Sequence, residues 1–153
     1  MSQVLEFVEV DVPVRVAYNQ WTQFEDFPEF MQGVDKVRQL DDTHLQWEAH
    51  IAGAKRSWVS EITEQVPDER VAWTNIDGVT SGGVVTFHRL APASTRVTLQ
   101  LDFEPEGFIE TIGDKLGFVT GQARGDLDRF REFVTERGIE TGAWRGEIRQ
   151  DER

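Results

Sequence analysis

The chain has 153 residues, the size of one domain, and no cysteine, which excludes disulfides, thiolate nucleophiles, Cys-ligated zinc and iron–sulfur clusters. A formal net charge of −12 repels a phosphate backbone and an anionic lipid surface, so neither nucleic acid nor a membrane is an expected partner. No apolar run reaches membrane-spanning length, and the N-terminus lacks the basic start and apolar middle of a signal peptide, so a soluble, cytoplasmic protein is expected.

The first element is a strand. From Val4 to Val12 a β-branched and aromatic run interleaves Val4, Glu6, Val8, Val10 and Val12 with Leu5, Phe7, Glu9 and Asp11. Asp11-Val12-Pro13 reads as a helix start, and Val14, Ala17, Tyr18 and Trp21 then fall at helical spacing. In FEDFPEFM, Pro28 suits the first turn of a short second helix, with Phe24, Phe27, Phe30 and Met31 on one side. From Val34 the period changes to two. Strands are predicted over Val34–Leu40, His44–Ile51, Arg56–Glu64, Arg70–Ile76, Val84–Leu90 and Arg96–Glu104. Turn signals separate them at Asp41-Asp42, Gly53, Pro67-Asp68, Asp77-Gly78 and APAST. With the first strand this makes seven, and connections this short demand antiparallel pairing.

The last element is one long amphipathic helix, about Phe108 to Arg137, stopped by Gly138. Its apolar stripe is Ile109, Ile112, Leu116, Val119, Ala123, Leu127, Phe130 and Val134. Gly113, Gly117, Gly121 and Gly125 recur every fourth residue, although each costs about 1 kcal/mol against alanine. That bare stripe reads either as close packing on the sheet or a kink, or as room left for a ligand. The polar remainder, 139–153, either frays or docks Trp144 onto the body or a partner.

The order of strand, two short helices, six antiparallel strands and a long helix resembles the START / birch-pollen-allergen-like superfamily, also called SRPBCC. Local sequence agrees. VDVPVRVAYNQWTQFEDFPEFM is similar to the family's opening, EITEQVPDERVAW with GGVVTFHRL to its middle hairpins, and GDLDRFREFVTERG to its last helix. The likeness spans about residues 2–138 and is closest to the polyketide cyclase/dehydrase-like branch of bacteria. It implies an α+β helix-grip fold: a curved seven-stranded antiparallel sheet, two short helices and a long C-terminal helix. Residues 1–138 form that single domain, and 139–153 a tail.

The resemblance also implies a cavity between sheet and long helix. Its expected lining is aromatic: Trp21, Phe27, Phe30, Met31, Trp47, Trp58, Trp73, Phe87 and Phe103. Ser60 on the sheet, and Leu116 and Thr120 on the helix, complete the set. Aromatic walls with few polar groups suit a flat apolar ligand, and the same side chains can equally fill the space as an ordinary core. Polyketide aromatase/cyclases of the family resemble one another in a pocket arginine and tyrosine. Those positions fall at Ile62 and near Val34, where neither side chain can hydrogen-bond or move a proton. A different polar set is Arg56, Ser60, His50 and His88, with His50 expected in solvent and His88 a possible base. His44, His50 and His88 lack metal-ligand spacing, no GxSxG elbow occurs, and nothing signals a cofactor. Gly82-Gly83 reads as a bulge or turn. Glu25/Asp26 and Asp126/Asp128 read as solvated faces.

Three functions follow. The first is binding or transport of a hydrophobic small molecule, lipid or polyketide-like. The second is a polyketide cyclase/dehydrase-type enzyme, with catalytic residues unassigned. The third is a protein-interaction module using the acidic surface or the Trp144 tail. The state is a monomer or a homodimer.

Overall fold

A computed structural model describes residues 2–51, 53–78, 81–104 and 115–149. The elements run β1 (Ser2–Val10), α1 (Val14–Trp21), a 3₁₀ helix (Phe24–Glu29), β2 (Val34–Gln39), β3 (His44–Ile51), β4 (Ala54–Val66), β5 (Arg70–Asn75), β6 (Ser81–Ala91), β7 (Ser94–Phe103) and α2 (Lys115–Arg137). The strands form one seven-stranded antiparallel sheet, ordered β1-β7-β6-β5-β4-β3-β2. Every neighbour follows in sequence except β1 on β7, where Ser2 lies opposite Phe103 and Val10 opposite Thr95. A sheet with one face on a long helix is the α+β helix-grip arrangement.

Alternation decides which face looks inward. Val4, Val8 and Val10 of β1 are buried, while Leu5 and Phe7 are each 61% exposed on the outer face. On β7, Val97, Leu99 and Phe103 are buried with the same period of two. Helix α2 packs over this inner face and lies against β1, where Arg124 pairs with Glu6 at 2.9 Å. Val119, Ala123, Leu127, Phe130 and Val134 are its buried stripe, and the helix ends before Gly138.

The predicted helix start at Phe108, with Ile109, Ile112 and Gly113, lies outside the described residues. Three details depart from the sequence expectations. Leu116 is 47% exposed, off the buried line. Two glycines of the stripe do not pack on the sheet: a Cβ at Gly121 meets nothing within 4 Å, and the nearest atoms to one at Gly125 belong to the Arg129 side chain. Close packing therefore does not account for those two glycines. Pro28 sits near the end of the 3₁₀ helix rather than in its first turn. A six-residue 3₁₀ segment has few N–H bonds to lose there.

Helix α1 buries six consecutive residues, Val16 to Trp21, although an eight-residue amphipathic helix normally buries one stripe. The C-terminal tail is the reason, for it docks on this chain's own body. Asn19 donates to Glu140 at 2.9 Å, which holds that carboxyl below its ordinary range. Gln20 donates to Thr141 Oγ1 at 3.1 Å and accepts from its N–H at 2.9 Å. The Trp144 N–H reaches Thr22 Oγ1 at 3.1 Å, and Arg145 pairs with Asp68 at 2.7 Å. Ile148 exchanges two backbone bonds of 2.8 Å with Gln65, adding a bridge beside the end of β4.

Candidate functional site: an apolar cavity with one polar end

Between the inner face of the sheet and α2 lies a cavity of about 200 Å³. Its side wall is aromatic. The rings of Trp47 and Trp58 stack at 5.8 Å and 10°. Their register explains this, since Trp47 of β3 lies opposite Trp58 of β4. Trp47 is pinned twice, by Phe27 at 5.6 Å and by Nε1 donating to Ser60 Oγ at 2.9 Å. Trp73 of β5 completes the wall by lying over Gly83 of β6, where a Cβ would stand 2.9 Å from its ring and 2.4 Å from Gln100 O. The sheet-side floor includes Ile62, Val71, Leu99 and Phe103.

Polar lining is sparse and gathers mainly where α2 meets the loop after the 3₁₀ helix. Asp126 on α2 accepts on Oδ1 from Arg129 Nη2 at 2.5 Å, from Gln32 N–H at 3.1 Å and from Gln122 at 3.5 Å. Gln122 also donates to Gln32 O, and Arg129 to Phe30 O at 2.9 Å. These contacts tie the loop to the helix. Gly33 makes the loop possible: its φ is +94°, and a Cβ there would stand 2.9 Å from His50 O. Burial pushes the Asp126 carboxyl up to about 6, against the opposing pull of Arg129, Gln32 and Gln122. His50 on the rim pairs with Asp35. Asn75 and Ser81 add polar groups at the ends of β5 and β6.

The model of the family described as "Polyketide cyclase / dehydrase and lipid transport" matches residues 10–131. The chain belongs to this family. A 17.2 kDa protein of Streptomyces lincolnensis, uncharacterized and encoded in the melC2-rnhH intergenic region, is 55% identical over 149 residues, 97% of this chain and 99% of that one. Among solved structures, the Zhui aromatase/cyclase from Streptomyces sp. R1128 superposes with a TM-score of 0.76 at 16% identity, covering 94% of this chain and 99% of its own. A START superfamily protein from Mycobacterium smegmatis gives 0.75 at 17% identity, covering 88% and 97%. At these identities the two structures show a shared fold.

Within this polyketide cyclase/dehydrase and lipid transport fold, Trp21, Phe27, Met31, Trp47, Trp58, Trp73 and Phe103 line the cavity. Five other residues expected there lie elsewhere. Phe30 is core, at 5.1 Å from Phe130 and 5.5 Å from Phe133. Phe87 lies edge-on to Tyr18 at 5.4 Å and to Trp21 at 6.4 Å, outside the cavity lining. Ser60 is fully buried and its oxygen is spent on Trp47. Leu116 is exposed, and Thr120 donates to its carbonyl at 2.8 Å. The helix phase explains both, because the cavity face carries Phe118, Val119, Gln122, Ala123, Asp126 and Leu127.

The polar set of Arg56, Ser60, His50 and His88 is not assembled. His88 is exposed, His50 is 47% exposed on Asp35, and Arg56 is half-buried outside the lining. Ile62 and Val34, the positions implied for arginine and tyrosine, both line the cavity. Asp126 is not the solvated carboxylate expected, being 16% exposed. Nor does Asp26 face only solvent, since it accepts from Thr141. Sequence reasoning missed Asp126 and Gln122. Their signal is one helical step, because each precedes a buried residue of the stripe, Leu127 and Ala123, by about 100°. Among the described residues, no three His, Asp or Glu gather as a metal site requires, and no helix is long and apolar enough to cross a membrane.

Proposed function

We propose that the protein binds and carries a hydrophobic small molecule in the cavity between the sheet and α2. The observation that carries this reading is the lining: aromatic and aliphatic side chains on the walls, with polar groups few and mainly at one end. Ile62 and Val34 support it further, because they put apolar side chains where the cyclase resemblance implies an arginine and a tyrosine. The test is native mass spectrometry of protein purified gently from its own host. An apolar molecule at near-unit occupancy is the expected result. Protein that emerges empty, and stays empty with extracts of the same cells, refutes carriage.

A second reading, a cyclase or dehydrase, is favoured by Asp126. A buried carboxyl brought up to about 6 exchanges its proton near neutral pH, as a general acid or base must. Conversion of a supplied poly-β-ketone to a cyclised product, abolished by Asp126→Asn, is the outcome that would move the assignment to catalysis.

A further inference from the structure

Resting on the reading of the cavity as a ligand site, three observations define the class of molecule it takes. The first is size. The space is about 200 Å³. An apolar cavity of roughly 150 Å³ takes one benzene ring, and pockets for drug-sized ligands run to about 300–1,000 Å³. One or two fused rings therefore fill this space, and a long acyl chain or an extended polyketide overfills it.

The second observation is shape. Trp47 and Trp58 are parallel to within 10°, and on the next strand Trp73, opposite Ile62, lies over Gly83, which has no side chain to displace it. Such walls offer ring faces and edges to a flat guest.

The third is polarity. Among the described residues, the hydrogen bonds to the Asp126 carboxylate all arrive on Oδ1, from Arg129, Gln32 and Gln122. Oδ2 receives none of them, although the side chain lines the cavity. The nearby positive charge is already engaged, because Arg129 is held by Asp126 and by Phe30 O. A ligand carboxylate would meet Asp126 with no Arg or Lys among the described lining residues, on a protein of net charge −12.

We infer that the occupant is a flat molecule of one or two fused rings, neutral or cationic, whose one polar substituent donates a hydrogen bond to Asp126 Oδ2: a phenol or an aryl amine rather than a carboxylic acid, an acyl chain or an extended polyketide.

Isothermal titration calorimetry with four probes tests this: 2-naphthol, its donorless counterpart 2-methoxynaphthalene, 2-naphthoate and palmitate. A hydrogen bond to a charged acceptor makes 2-naphthol bind about 10-fold or more tighter than 2-methoxynaphthalene and 2-naphthoate. Palmitate gives no binding. In Asp126→Asn the preference for 2-naphthol over 2-methoxynaphthalene falls to within about 3-fold, as expected when the charged acceptor is lost. Should that variant not fold, the ratio in the natural protein decides alone. Palmitate binding in place of 2-naphthol overturns the inference and leaves hydrophobic carriage standing. Equal binding of 2-naphthol, 2-methoxynaphthalene and 2-naphthoate overturns the role of Asp126. Failure of all four probes overturns this inference, and the mass spectrum of the protein from its host then decides the carriage reading.

Discussion

Asp126 is the residue whose chemistry is most altered by its surroundings. Its carboxyl is raised from an ordinary 3.8 to about 6 because burial disfavours the charged form more than Arg129 restores it. The sign for stability follows from proton counting. Between about pH 4 and 6 the folded state holds a proton that the unfolded state has lost, so this group's contribution falls as pH rises through 6. Asparagine resembles the protonated acid. Asp126→Asn is therefore expected to gain on the natural protein between pH 4 and pH 7, by on the order of 1–3 kcal/mol at about 1.4 kcal/mol per unit. Urea unfolding at the two pH values measures it, and an equal difference at both removes the account. Gly83 is the second residue with a sharp expectation. Gly83→Ala places a Cβ 2.4 Å from the Gln100 carbonyl, a backbone atom that cannot swing away. We expect a loss of about 1–3 kcal/mol in urea unfolding, together with a shifted tryptophan emission as Trp73 is displaced.

At the scale of the element, α1 and the tail depend on each other. Alone, α1 and its C-cap carry Asn19, Gln20 and Thr22 on a face that a short surface helix would leave in water. Under the tail those side chains are hydrogen-bonded, and Ile148 extends the sheet by one bridge at Gln65. We propose that truncation after Gly138 leaves the helix-grip domain folded but less stable. The lost bonds to buried partners sum to about 2–4 kcal/mol, or roughly 5–15 °C in Tm. Calorimetric scanning reads this, and an unchanged Tm shows that the tail is ornamental to the fold. The elements are legible because strands alternate and turns carry Asp, Gly and Pro, but not all their ends: β1 spans Ser2–Val10, and β6 begins at Ser81 and runs through Gly82-Gly83, the pair read as a bulge or turn. The helix Val14–Trp21 is legible from the Asp11-Val12-Pro13 start and the spacing of its apolar residues. The burial of its polar side was not legible, because the segment that covers it lies more than a hundred residues away.

For the whole molecule, excess negative charge opposes compaction. With a net charge of −12 the folded chain repels itself, and salt screens that repulsion. Raising sodium chloride from about 10 to about 200 mM is expected to raise Tm by a few degrees. A fall with salt would mean that exposed ion pairs such as Arg96–Glu9 and Arg124–Glu6 outweigh the general repulsion. Ligand binding acts at the same scale. A probe at about 100 times its Kd stabilises the protein by about 2.7 kcal/mol, so 2-naphthol should raise Tm by roughly 5–10 °C and palmitate should not.

The architecture could be read from the chain because its signals are local. Period two, period 3.6 and turn residues each act over a few neighbours, and short connections leave little choice but an antiparallel sheet against one helix. Even much of the aromatic wall is legible, since Trp47 alternates with Gln46 and Glu48, and Trp58 shares one face of its strand with Ser60 and Ile62. What needed the tertiary structure was every property that depends on a distant partner. Phe30 and Phe87 became core, not lining, because Phe130, Phe133 and Tyr18 reach them from other elements. Ser60 became a bracket for Trp47 through a register across two strands. Asp126 changed from a solvated carboxylate to the polar end of the cavity because the loop at Gln32 closes over it. A side chain's periodicity tells which face it takes, but its dielectric surroundings, and so its chemistry, are set by what the rest of the chain packs against that face.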